Sequence, residues 1–502
     1  MIKGWTGKRL RIDLSLRKAW SEEIAQGDLR QLLGGRGLNA SFFLQHFPTP
    51  VPPSSPENPI AFSVGPLTGT LAPCSGWTSI ASFSPLSDPS IYCFTRMPGH
   101  FGVPLKGAGY DQLILEGKAD RPVYLWIDDG RLKFEEAAHL WGKETTETTV
   151  AIQEEKGDRN VEVLCIGPAG ERQLPFANVI HRLSWTGDHL GLGYLFGVKH
   201  VKAIAIRGKK PVTLQEPQGF LNLCLSLKDR IEKDRQMRRL KEEGMLSLLG
   251  HKGGIMNNGN GGLPRESEKQ WATFLKTHPS GQEGCFACPV HCGRNIEHQE
   301  SYLGGIHLNK AWCLGPQIGI HHGEWTLKLH RFCQTQGLDP FLTGSLLGRI
   351  MKGVEPGPLS EEELRQTDGI WDQGEKAFAI LHRIMNRSRK KFQLTAPPVN
   401  ENEDLDVLAD IVSFCMIVVN RLNLMTVTNM IDLIHGATGY ALTIEDLQDI
   451  ISNVRQMEFR LQNKKLHRSD QATPLHLGEG QISQILTKEE RHHVSVSNRT
   501  AS

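Results

Sequence analysis

Val201-Lys-Ala-Ile-Ala-Ile-Arg207-Gly-Lys-Lys-Pro211 separates two parts of the chain with different periodicity. Its first seven residues form a short apolar run closed by Gly208 and Pro211, the pattern of a buried strand. Upstream, similar runs at 60–64, 112–116, 123–127 and 161–166 are set apart by Gly, Pro and Asp-Gly turn signals. Asp129-Gly130 falls between two such runs and predicts a hairpin. Helical patterning in this half is confined to short pieces, at 145–155 and after Gly187. Downstream, Phe220, Leu223, Leu227, Ile231 and Met237 recur at helical spacing on a charged background. They predict one helix across 217–243 with a single buried face. Helical spacing resumes from Glu324, pauses at 353–358, restarts at Ser360-Glu-Glu-Glu and continues from Asp404. Residues 251–262 read as a long loop, and the polarity after about Asp470 reads as a frayed tail.

The expected fold class is therefore α+β: a β domain over residues 1–208, an α domain over 209–400 and a second α domain over 401–502. A chain of 502 residues exceeds one hydrophobic core, and 39% hydrophobic with 22% charged residues is ordinary globular composition. Lys+Arg 57 against Asp+Glu 55 leaves a net charge of +2, too weak a field to gather nucleic acid or an anionic membrane. The richest apolar stretch, 411–425, is interrupted by Asn420 and Arg421, so neither a membrane span nor a leader is expected. A cytoplasmic location follows as an expectation. There, ten cysteines are too few for a disulfide framework, and clustered ones suggest metal ligands.

Cys285-Phe-Ala-Cys288-Pro-Val-His-Cys292 is that cluster. Spacings of two and then three residues let one turning loop present three thiolates to a common centre, as iron–sulfur clusters and zinc both require. Spacing leaves the fourth ligand open among His291, Cys313, Cys333 and Cys415. Cys74, Cys93, Cys165 and Cys224 stand singly in apolar or turn contexts and read as packing. The pairs His321-His322 and His492-His493 have no metal spacing to any carboxylate.

Short motifs along most of the chain resemble the aldehyde ferredoxin oxidoreductases, a tungsten-pterin family that includes one type of benzoyl-CoA reductase large subunit. They are Gly34-Gly-Arg-Gly37, Asn58-Pro59, Gly65-Pro-Leu-Thr-Gly-Thr70, Leu105-Lys106 with Ala108-Gly-Tyr-Asp111, and Glu116-Gly-Lys118. Leu140-Trp-Gly-Lys143, Gly167-Pro-Ala-Gly-Glu171, Gly191-Leu-Gly193, Lys202-Ala-Ile204, the cysteine triplet, Gly337-Leu-Asp339 and Asp410-Ile-Val-Ser-Phe-Cys415 follow in order. The resemblance implies a family-type β domain that cradles pterin, followed by two mainly α domains. It also implies Cys415, 123 residues beyond Cys292, as the fourth ligand of a [4Fe-4S] cluster with Cys285, Cys288 and Cys292.

The same comparison implies an eroded site for the tungsten-bis-molybdopterin. Trp77 stands where relatives carry a phosphate-binding Arg, Arg96 where they carry a magnesium-associated Asn, and Pro98 where a turn Gly lies. A glycine-rich phosphate loop reads Gly187-Asp-His-Leu-Gly191, and His307-Leu-Asn-Lys310 replaces a segment that places a catalytic Glu. Gln334 and Ser413 also depart from the two family motifs. Asp339 and Asp410 are retained, and Arg96 and His189 could still meet pterin phosphate. The expected function is a cluster-bearing electron-transfer or structural subunit. Such a subunit would belong to an oligomer or complex, with ferredoxin or an iron–sulfur subunit as redox partner. The alternatives are an active tungsten oxidoreductase acting on an aldehyde or related substrate, and a zinc-bound structural protein.

Overall fold

The computed structural model describes residues 2–87, 89–245, 270–271, 273–274, 277–278, 280–298, 301–354, 359–367, 370, 372–386, 404–419 and 424–463. The loop expected at 251–262 and the tail expected after 470 lie outside the described residues. Six strands form the first sheet: β1 Lys8–Asp13, β2 Lys18–Glu23, β3 Ile60–Ser63, β4 Thr78–Phe83, β5 Tyr92–Met97 and β6 Gln112–Glu116. Their order is β2-β1-β6-β3-β4-β5, with β1 and β6 parallel and the other neighbours antiparallel. The second sheet contains β7 Val123–Asp128, β8 Arg131–Glu136, β9 Glu162–Ile166, β10 Val179–His181, β11 Trp185–Thr186 and β12 Val201–Arg207, in the order β11-β10-β9-β12-β7-β8.

Side-chain alternation explains why these two sheets pack together. Leu10, Ile12, Phe62, Leu113 and Leu115 of the first share one core with Leu125, Ile127, Leu164, Ile166, Ile204 and Ile206 of the second. The intervening residues face away: Ala61, Ala81 and Ile114 join a helix-rich core, while Tyr124, Trp126, Val163 and Cys165 form a smaller one. Each such aliphatic burial contributes ~1.5–3 kcal/mol, so a one-residue slip of any strand would forfeit several. Asp129 and Gly130 do form the expected turn between β7 and β8, both with positive φ, 47° and 93°.

From residue 217 the chain is mainly helical, with two departures from the sequence reading. The predicted single helix is broken into Pro217–Lys233 and Arg235–Glu243. Asp234 leaves helical geometry at ψ 131°, and its carboxylate accepts hydrogen bonds from the Gln236 and Met237 amides, so it caps the second piece. A three-stranded antiparallel sheet also interrupts the helices: β13 Ser280–Glu283, β14 Gly293–His298 and β15 Ser301–Ile306. The cysteine triplet occupies the connection between β13 and β14. Its flanks carry Gly, Asn and charged residues in place of a β-branched run, which is why periodicity overlooked them.

The C-terminal helices close over the first sheet through glycine contacts. A Cβ on Gly35, whose φ is +44°, would stand 2.0 Å from the Asp410 carbonyl oxygen. One on Gly65 would stand 2.6 Å from the Val412 backbone. Backbone therefore meets backbone where the helix Asp404–Val412 ends, just before Cys415. Asp111 braces the same corner. Fully buried, it accepts from Lys106 Nζ at 2.6 Å, the Thr6 amide at 2.9 Å, Thr6 Oγ1 at 3.0 Å and the Gly7 amide at 2.7 Å. Lys106 Nζ also donates to the Gly65 carbonyl at 3.0 Å. No helix among the described residues is long and apolar enough to cross a membrane.

Candidate metal and cofactor site

The β13–β14 connection is held by backbone contacts to distant segments, one of which is bonded in turn to another. The Phe286 amide donates to the Gly99 carbonyl at 3.1 Å, the Cys74 amide to Ala287 at 3.0 Å and the Cys415 amide to Cys74 at 3.0 Å. Glu283 ties its base to the second sheet by accepting from Ser184 Oγ at 2.6 Å. On the far side Ser413, at φ +67°, accepts from the Gly65 amide through Oγ at 2.8 Å and from the Trp77 amide through its carbonyl at 3.2 Å.

These contacts draw Cys285, Cys288, Cys292 and Cys415 into one neighbourhood. All ten cysteines are free thiols; Cys288 and Cys415 are buried, and Cys285 and Cys292 half-buried. Burial, then the fields of the Cys288, Cys415 and Cys292 thiols, push Cys285 well above the ordinary thiol range. Cys292 is raised by burial and then by Cys288 and Cys415. Burial followed by Cys288 lifts Cys415 to about 12. Cys288 moves the other way, down to about 7, chiefly because the Cys74 thiol donates to it and then through the His291 and Val290 amides. Among the described residues no three His, Cys, Asp or Glu side chains gather about one point as a single ion would require.

Cys74 lies in the helix-rich apolar core, as its reading as a packing residue expects. That reading missed one contact: its Sγ is 3.7 Å from Cys288 Sγ, so it also borders the thiol group. In the sequence only its position three residues before Trp77 ties it to the site, and nothing local marks its approach to Cys288. Cys93, Cys165 and Cys224 do lie in apolar cores. Cys313 and Cys333 sit beside Asp339 instead of the triplet.

The four residues considered for pterin fall into two groups, Arg96 with Asp410 and His189 with Asp339. Arg96 Nη1 reaches Asp410 Oδ1 at 3.3 Å, and Arg36 Nη1 reaches Asp410 Oδ2 at 3.3 Å. Arg36, quoted in the sequence only within the Gly34–Gly37 motif and given no role there, also clasps Glu458 with two bonds of 2.7 and 2.6 Å. Asp339 is wholly buried at the start of the helix Pro340–Met351, accepting from the Phe341 and Leu342 amides at 2.9 and 3.1 Å. Its other oxygen accepts from the His189 amide at 2.6 Å, and the His189 ring packs on Phe341 at 4.7 Å. Trp77 is partly buried with its indole N–H unpartnered, the Arg96 guanidinium 5.7 Å from its ring, and Leu190 is fully buried.

Around His307 and Lys310 the interior is unusually polar. Lys310 is buried, donating to Thr186 Oγ1 at 2.6 Å and the Ser184 carbonyl at 3.2 Å. Buried ring nitrogens of Trp185, His307 and His330 there have no partner. Burial, followed by the Lys310 charge, holds His307 down at about 3, so it is neutral at ordinary pH.

Comparison with known proteins matches this architecture. Residues 9–208 match the family described as aldehyde ferredoxin oxidoreductase, N-terminal domain, and residues 236–395 match its domains 2 and 3. The tungsten-containing aldehyde ferredoxin oxidoreductase of Pyrococcus furiosus is 31% identical over 401 residues, 77% of this chain and 65% of that protein. Its counterpart in Pyrococcus abyssi is 32% identical over 375 residues, 72% of this chain and 60% of that protein. The chain thus spans somewhat less than two thirds of the length of these curated relatives. A solved structure, the active site complex BamBC of benzoyl coenzyme A reductase with 1,5-dienoyl-CoA, superposes with a TM-score of 0.75 at 19% identity. That superposition covers 92% of this chain and 90% of the solved one, and shares the fold. The two family matches together take in both large sheets, the cysteine connection and the helices that follow it as far as Gln373–Met385, and the chain belongs to the aldehyde ferredoxin oxidoreductase family.

Proposed function

We propose that this protein carries a [4Fe-4S] cluster on Cys285, Cys288, Cys292 and Cys415 and serves as an electron-transfer or structural subunit. The observation that carries the reading is the run of backbone bonds from the triplet loop through Cys74 to Cys415, which brings a residue 123 positions distant into the same buried group of thiols. A cubane spreads its four thiolates more widely than a single ion does, so thiols that share one field without gathering about one point suit it better than zinc. The cluster would supply one-electron transfer; the chain would hold it, exclude water from it and orient its ligands. A small redox protein, ferredoxin or an iron–sulfur subunit, is the proposed partner within a complex.

The tungstopterin site fits poorly. Asp410 is saturated by Arg36 and Arg96, Asp339 by three amides, and Trp77 and Leu190 contribute bulk where a polyanion needs donors. Losing several charge-assisted contacts, at ~1.5–3 kcal/mol each, weakens anion binding by orders of magnitude. One observation favours the second reading, an active tungsten-pterin oxidoreductase. The unpartnered ring nitrogens of His307 and His330, near buried Lys310, suit a polar occupant. Elemental analysis of anaerobically purified protein separates the two. Iron without tungsten, molybdenum or pterin supports the cluster subunit; tungsten with pterin near two per chain overturns it.

A further inference from the structure

Five thiols meet at the junction where a four-iron cluster has use for four. Cys74 is 1% exposed and adopts φ +66°, a conformation unfavourable for a residue with a Cβ. Two backbone bonds hold it there: its amide donates to Ala287 inside the triplet loop, and its carbonyl accepts from the Cys415 amide. The outcome is a sulfur–sulfur separation of 3.7 Å to Cys288, a contact of hydrogen-bond length for sulfur. Two terminal thiolates on different irons of one cubane stand farther apart than this, so the pair cannot supply two of the four ligands. One ligates, and the other addresses its sulfur.

Resting on the cluster reading above, we propose that Cys74 is a positioning and tuning residue that donates an S–H hydrogen bond to the Cys288 thiolate ligand and raises the cluster's reduction potential. Hydrogen bonds to ligand sulfur are among the factors that set such potentials, because they stabilise the more negative reduced state. Cys288 is the ligand and Cys74 the donor because Cys288 lies in the triplet, where the His291 and Val290 amides also face its sulfur. Reduction adds one electron to the cluster and leaves the S–H bond intact.

The test uses the full chain purified anaerobically, with Cys74→Ala, Cys74→Ser and Cys288→Ala, measuring iron, sulfide and the midpoint potential by redox titration. Cys74→Ala should keep its iron while its potential falls below that of the wild type, and Cys74→Ser, which restores a donor, should recover part of the shift. An unchanged potential in a fully loaded Cys74→Ala protein would reduce the residue to packing and overturn the proposal. Loss of iron from folded Cys74→Ala, or full iron retained by Cys288→Ala, would make Cys74 a ligand and overturn it equally. Wild-type protein without iron would instead remove the cluster reading, and this proposal with it.

Discussion

Asp111→Ala probes the corner on which the thiol junction rests. The carboxylate is fully buried and accepts four hydrogen bonds, one from the Lys106 ammonium, itself 1% exposed in its side chain. Removing it strands a buried cation and leaves the Thr6 and Gly7 amides without acceptors. Breaking a buried pair from one side costs ~3–5 kcal/mol. For a unit of the size of the 9–208 match that corresponds to a fall in melting temperature of about 6–20 °C. Replacing both partners, Asp111→Ala with Lys106→Met, removes the stranded charge and should recover much of the loss, because apolar substitutes for a buried ion pair are often near neutral. Differential scanning fluorimetry of wild type, single and double variants measures the effect, and hydrogen exchange at Thr6 and Gly7 locates it. A shift of less than about 2 °C for Asp111→Ala, or a double variant no more stable than the single, would refute the view that Lys106–Asp111 is a structural brace.

Three further outcomes follow from individual residues. Burial lowers Lys199 from 10.5 to about 7, with Nζ donating to the Pro56 and Gly117 carbonyls at 2.9 Å each. Between those values the unfolded chain binds more protons than the folded one, so stability should rise as pH climbs from about 7 towards 10.5, by up to ~1.4 kcal/mol per unit. Lys199→Met should abolish that rise in urea melts, and equal pH slopes in the two proteins would contradict it. Ser413→Ala keeps the positive φ but loses the acceptor for the Gly65 amide, whereas Ser413→Gly loses the bond and relieves the strain. The glycine variant should be the more stable by ~1 kcal/mol in thermal melts, and equal melting points would dispute the strain. Asp339→Ala removes a helix cap and the acceptor for the His189 amide, and should cost at least the ~0.5–2 kcal/mol of a cap; unfolding midpoints within error of wild type would contradict that role.

Strands were legible where apolar runs ended on turn residues, as at Gln112–Glu116 and Val201–Arg207, and helices where caps were local. Ser360 with Glu363, and Glu144 with Glu147 ahead of Thr145–Glu155, form capping boxes within four residues of sequence. The break at Asp234 was obscured because a capping Asp looks like any other charge in a charged run. The sheet β13–β15 was obscured because pairing to its neighbours, more than its own composition, makes it extended. Within the candidate site, the triplet announced itself by spacing. Neither the closure of Asp410 by Arg36 and Arg96, 374 and 314 residues away, nor the approach of Cys74 to Cys288, 214 residues away, has any local signature. Such contacts depend on the whole fold and are found only once the backbone is in place.

The most direct test of the central claim is the iron content of Cys415→Ala against wild type, both purified anaerobically, with Cys313→Ala as a control on a buried cysteine beside Asp339. The account predicts about four irons per chain in the wild type and in Cys313→Ala, and loss of the four-iron complement in Cys415→Ala. Cys415→Ala retaining all its iron, or wild type binding zinc in place of iron, would contradict it.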